Sequence, residues 1–109
     1  MDIQAFLNGL DKLFAKKAID EVEPFLNESM ENAKKENDKS AQFTILNEMM
    51  GFFRDTSQYD KSIKACNQCL SLMKEMNIEG TVDYATSLQN IANAHRAAGK
   101  LEQSLMFYN

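Results

Sequence analysis

The chain of 109 residues has one proline, four glycines and no tryptophan. So few turn formers exclude a fold built from many short strands and hairpins. The single histidine rules out any His–His metal motif within one chain. No apolar run approaches the roughly 20 residues that span a bilayer, so no membrane-embedded role is expected. The start, "MDIQAFLNGL", lacks a basic region followed by an apolar one, which argues against a secretory signal. Two cysteines without an export signal point to a reducing cytoplasm. Basic residues occur only in small groups, at Lys16–Lys17 and Lys34–Lys35, on a chain of net charge -4. A nucleic-acid partner, which needs a basic face, is therefore not expected. There is no G-x-S-x-G, no P-loop and no G-x-G-x-x-G, so the expectation is a non-catalytic protein with no cofactor and no metal.

What is present is helix-forming sequence throughout, rich in Ala, Leu, Met, Glu, Lys and Gln. Apolar residues recur every three or four positions. Leu46, Met49, Met50 and Phe53 form one stripe, and Leu88, Ile91, Ala92 and His95 another. Between them Tyr59, Ile63, Cys66, Leu70, Met73 and Met76 form a third. In "DTSQYD", Ser57 is the expected N-cap of a helix, with Asp60 three residues on. Gly99 is where a helix must stop. In "NIEGTVD", Gly80 supplies backbone freedom and Thr81 an N-cap. Pro24 predicts a helix that begins around Ala18–Asp20 or bends at the proline.

Sliding the chain on itself by 42 residues pairs Leu46 with Leu88, Met49 with Ile91, Met50 with Ala92 and Phe53 with His95. The same gapless offset pairs Arg54 with Arg96, Ser57 with Gly99, Tyr59 with Leu101 and Ser62 with Ser104. An earlier copy fits best 40 residues before the middle one, with a loop two residues shorter. This predicts three helix–turn–helix repeats, 1–39, 40–81 and 82–109, the first degenerate and the last incomplete.

"TILNEMMGFFRDTSQYDKSI" and "SLQNIANAHRAAGKLEQSL" resemble the tetratricopeptide repeat (TPR). They supply its large apolar residue, apolar pair, aromatic-like position, small turn residue, aromatic or Leu, and small residue opening the second helix. The usual repeat is about 34 residues. The longer spacing is similar to the extended repeats of kinesin light chain and of many bacterial regulators. Met50 is bulkier than the pattern's small residue, and His95 replaces its aromatic. The resemblance implies an all-α superhelix of about six antiparallel helices in three helix–turn–helix units. The last unit stops halfway through its second helix, so the expectation is an N-terminal fragment of a longer protein. Self-association through that unfinished helix, giving a homodimer, is the alternative expectation.

In such a superhelix the first helix of each unit lines a concave face that grips peptides. Projected here, the polar positions are Thr44, Asn47, Gly51, Arg54 and Asp55, then Thr86, Gln89, Asn93, Arg96 and Ala97. Asn47, Arg54, Gln89, Asn93 and Arg96 are the expected partner-binding residues. Amides bond a peptide backbone through donor and acceptor, and arginines bind carboxylates. Gly51 lets a ligand approach the helix. The blander expectation is a solvated surface with each arginine paired to an acid such as Asp55. The lysine-and-asparagine clamp by which some chaperone-binding members hold a C-terminal carboxylate is not expected. Of Leu7, Asp11, Asn47, Gly51, Gln89 and Asn93, only Asn47 and Asn93 fit it.

"CNQC" has the spacing of a redox dithiol or half a zinc site. In the repeat register, however, Cys66 takes an apolar position and Cys69 a small one, so both are expected to pack. His95 is likewise expected in the core. A zinc site of Cys66, Cys69, His95 and a carboxylate is the sharper alternative. The functional expectation is a cytoplasmic, bacterial protein-interaction module that binds a protein or peptide as a scaffold or sensor arm. A structural or dimerisation array, or the regulatory arm of an enzyme or transcription regulator, are the alternatives.

Overall fold

The computed structural model describes residues 1–78 and 80–99. Five α-helices follow one another: α1 (Ile3–Ala15), α2 (Val22–Lys35), α3 (Lys39–Asp55), α4 (Tyr59–Met76) and α5 (Val82–Ala97). Among the described residues there is no strand. The expected sixth helix falls on 101–109 and lies outside the described residues. The fold class is all-α, of the helical-repeat type. The chain divides into two compact units, the first ending at Ile45 and the second starting at Leu46.

In the first unit, Asp2 caps α1 by accepting from the Ala5 N–H at 3.0 Å. The buried side of α1 is Phe6 and Leu10. Phe6 stacks on Phe25 of α2, with ring centroids 5.5 Å apart and planes within 4°. Gly9 makes this approach possible, because a Cβ there would lie 2.9 Å from Phe25 Cζ. The proline expectation resolves in a specific way. A 3-10 turn, Ile19–Glu21, leads in, and the α-helix starts at Val22. Pro24 thus stands in the first turn, where its missing N–H leaves no helical bond unmade. Val22, Leu26, Ser29, Met30 and Ala33 form the buried side of α2. Fully burying a residue such as Leu26 contributes about 2 kcal/mol.

Asp38 opens α3. Its Oδ1 accepts from the Ala41 N–H at 3.0 Å, and its Oδ2 takes the Met1 ammonium at 3.3 Å. Glu36 lies 3.6 Å from the same ammonium. The hydrogen bond from Ala41 and the one from the ammonium hold the Asp38 carboxyl below its usual range.

In the second unit the small residues of α4 set its packing. Ser62, fully buried, donates its hydroxyl to the Met50 carbonyl of α3 at 2.9 Å. The buried positions of α4 are Ser62, Ala65, Cys66, Cys69, Leu72 and Met73. This corrects the expected stripe. Of its members only Cys66 and Met73 are buried, while Ile63, Leu70 and Met76 are half-buried and Tyr59 is exposed. The reason is that α4 meets α3 on one side and α5 on the other, so the small residues between the large ones are covered as well. On α5 the buried residues are Ser87, Ile91, Ala92, Ala94 and His95.

The turns are alike. Lys17, Asn37, Ser57 and Asn77 have positive φ and stand twenty residues apart, and Gly99 follows twenty-two beyond Asn77. After α1, the Lys17 N–H donates to the Phe14 carbonyl and the Ala18 N–H to the Leu13 carbonyl. The same pair of bonds recurs at Asn37 and Asp38 and at Ser57 and Gln58. Each satisfies carbonyls that the helix end leaves open. Ser57 is therefore not the N-cap. It occupies the left-handed position, and Gln58 precedes α4 with no side-chain cap. Thr81 does cap α5, accepting from the Tyr84 N–H at 3.1 Å. The link before α3 is Glu36–Asp38 and the link before α5 is Asn77–Thr81, two residues longer.

Candidate functional site

Helical spacing places Asn47, Gly51 and Arg54 on one face of α3, at i, i+4 and i+7. Gln89, Asn93 and Arg96 take the same spacing on α5. Gln89 and Arg96 are exposed, and Asn47, Gly51, Arg54 and Asn93 are half-buried.

Asn47 ties the two helices together. Asn47 Oδ1 accepts from Ser87 Oγ at 3.1 Å and from Asn90 Nδ2 at 3.1 Å. With two donors in place the carbonyl end of Asn47 is committed to α5, which is not the two-ended amide that sequence reasoning offers to a peptide. The structure thus links Asn47 to two residues that the sequence did not single out. Ser87 could have been found as a small polar residue facing the core, one turn ahead of Ile91. Asn90 carried no signal, because its partner comes from another helix.

Arg54 Nε donates to Asp55 Oδ1 at 3.2 Å. Asp55 is 71% exposed, so the pair is solvated and contributes little. Among the described residues, a Cβ at Gly51 would meet only Arg54 Nη2, at 3.9 Å. The guanidinium therefore lies back along α3 beside the glycine.

Cys66 and Cys69 are free thiols with no exposed surface. Burial, reinforced by the neighbouring Cys69, pushes the Cys66 thiol up to about 12. Burial pushes Cys69 up to about 11, against the lowering contact of the Ser87 hydroxyl. Both stay protonated at neutral pH and behave as small apolar residues, the reverse of a redox thiol. His95 is 7% exposed, within the core of α5. Among the described residues no three His, Cys, Asp or Glu side chains gather where a metal could sit. Nor, among those residues, is any helix long and apolar enough to cross a membrane.

This arrangement of hairpins, each helix ended by a left-handed turn residue, is a TPR-like fold. The structure matches the crystal structure of the TPR domain of Arabidopsis FLU with a TM-score of 0.79, over 97% of this chain and 87% of that one. The two sequences are 14% identical, so the likeness is one of fold. No family model and no curated protein matches the sequence.

Proposed function

We propose that the protein is an interaction module that binds an extended peptide or protein segment on the face shared by α3 and α5. The observation that carries this reading is the repeated face: an amide at i and an arginine at i+7 on both helices, with Asn47 tied to α5 through Ser87 and Asn90. A solvated surface needs no such repetition. Peptide backbone is met by Gln89 and Asn93, and carboxylates by Arg54 and Arg96.

Three repeats, 1–39, 40–81 and 82–109, of the extended kind are part of the same reading. The left-handed residues Lys17, Ser57 and Gly99, which close α1, α3 and α5, support it. The free thiols fit a reducing cytoplasm.

The test is a double charge reversal, Arg54→Glu with Arg96→Glu, on the longest soluble form of the protein. Partner capture falls by about tenfold or more, while the circular dichroism and the denaturation midpoint stay unchanged. Capture that survives the reversal with the fold intact would remove the arginine pair from the interface.

A further inference from the structure

The first residues of a domain are ordered only where something ties them down. Here the tie is the Met1 amine itself. Its ammonium donates to Asp38 Oδ2 at 3.3 Å and lies 3.6 Å from Glu36 Oε2. The Met1 side chain is only 13% exposed. Both carboxylates belong to the link between α2 and α3. The same Asp38 accepts from the Ala41 N–H in the first turn of α3. One residue beyond Met1, Asp2 accepts from the Ala5 N–H in the first turn of α1. One ammonium thus bridges the capping residues of two helices.

The charges at this point oppose one another. The starts of α1 and α3 come together at the Met1–Asp38 bond, and each helix start is equivalent to about half a positive charge. An ammonium ahead of them is adverse to both. Glu36 and Asp38 reverse that balance, so the free terminus holds α1 to the link instead of weakening it. The hydrogen bond to Asp38, and then the charge of Glu36, raise the ammonium above its usual value. In the folded chain it therefore stays protonated and is a poor nucleophile.

We infer that the Met1 amine is a modification site, at which Nα-acylation releases α1 from the α2–α3 link. An acyl thioester supplies the group. The amine loses a proton and attacks the thioester carbonyl, the C–N bond forms, the C–S bond breaks and a thiol leaves. The resulting amide keeps one N–H but no charge, so the ion pair with both carboxylates is gone. Because the folded chain keeps the amine protonated, acylation acts before the first unit closes.

The experiment compares the protein with a free Met1 amine and the same protein Nα-acetylated by a co-expressed acetyltransferase. Each is made with and without the pair Glu36→Gln and Asp38→Asn, and asparagine still caps α3. The readout is amide hydrogen exchange of α1, above all at Ala5 and Phe6, whose N–H groups bond Asp2. In the parent, acetylation speeds this exchange about two- to fivefold. In the Glu36→Gln, Asp38→Asn variant it slows exchange or leaves it unchanged, because there only the adverse charge is removed. Exchange that is equal or slower on acetylation of the parent would overturn the inference, and so would the same acceleration in the variant. Intact mass of the protein from its source is expected to show an acylated form beside the free one. A terminus found only free, or residues ahead of Met1, would overturn the inference as well.

Discussion

Gly9 and Gly51 make opposite demands on an added methyl group. Gly51→Ala gains helix propensity and, among the described residues, meets only a flexible guanidinium. It is expected to stabilise the protein by about 1 kcal/mol. Gly9→Ala drives a Cβ into a stacked ring and is expected to destabilise it by about 1–3 kcal/mol, despite the same gain in propensity. Urea denaturation of the two variants against the parent checks both signs. The cysteines give a second residue-scale test. A water-soluble disulfide reagent labels neither thiol in the native state on the timescale in which it labels both in urea, because both are buried. Their packing role was legible from the repeat register alone. The bonds of Asn47 were not, because an amide on a polar face looks the same in sequence whether it faces solvent or a neighbouring helix.

The turns carry the information at the scale of the element. Lys17 and Ser57 hold left-handed backbone that favours glycine, whereas Asn37 and Asn77 tolerate it better. Ser57→Gly is expected to raise stability by about 0.5–1 kcal/mol, and Asn37→Gly by less, the loss of unfolded-state order offsetting part of each gain. Thermal melts of the two variants distinguish them. Ser62→Ala removes a buried hydroxyl that bonds the Met50 carbonyl, at a cost of about 1 kcal/mol. Helix existence could be read from periodicity and Gly99. The chemistry of the Ser57 turn could not, because serine is a common N-cap and its sequence context fits that role equally well. Its left-handed backbone is set by how α3 must end before α4 can turn back.

For the molecule as a whole, pH bounds stability from both sides. Asp38 titrates below its usual range in the fold, so its contribution is present above pH 4 and is lost as pH falls through its folded value. The Met1 ammonium is raised by its bonds to Asp38 and Glu36. Its contribution is present below pH 8 and is lost as pH rises. The thiols act in the same direction: the unfolded chain releases their protons near pH 9, whereas the folded chain holds them to about 11 and 12. Denaturation midpoints should therefore drop as pH falls below 4 and again as it rises above 8, more steeply above 9, and Asp38→Asn should flatten the acid limb. An alkaline limb that is unchanged in a Cys66→Ala, Cys69→Ala double variant would show that the thiols do not contribute. At this scale the sequence was most informative. Residues 42 apart repeat size, polarity and turn position together, and only a stacked helical repeat makes that demand. A partner leaves no such trace, because its chemistry is written in its own sequence.

Ser87 joins three helices through one hydroxyl. Its hydroxyl donates to Asn47 on α3 and also contacts the Cys69 thiol of α4, which it pulls down against the effect of burial. On the proposed reading of this face, a ligand bound at Asn47 is expected to alter the setting of a sulfur on another helix. The rate at which Cys69 is alkylated during brief openings of the fold becomes a remote gauge of whether the surface is occupied, readable by mass spectrometry with no label on the ligand.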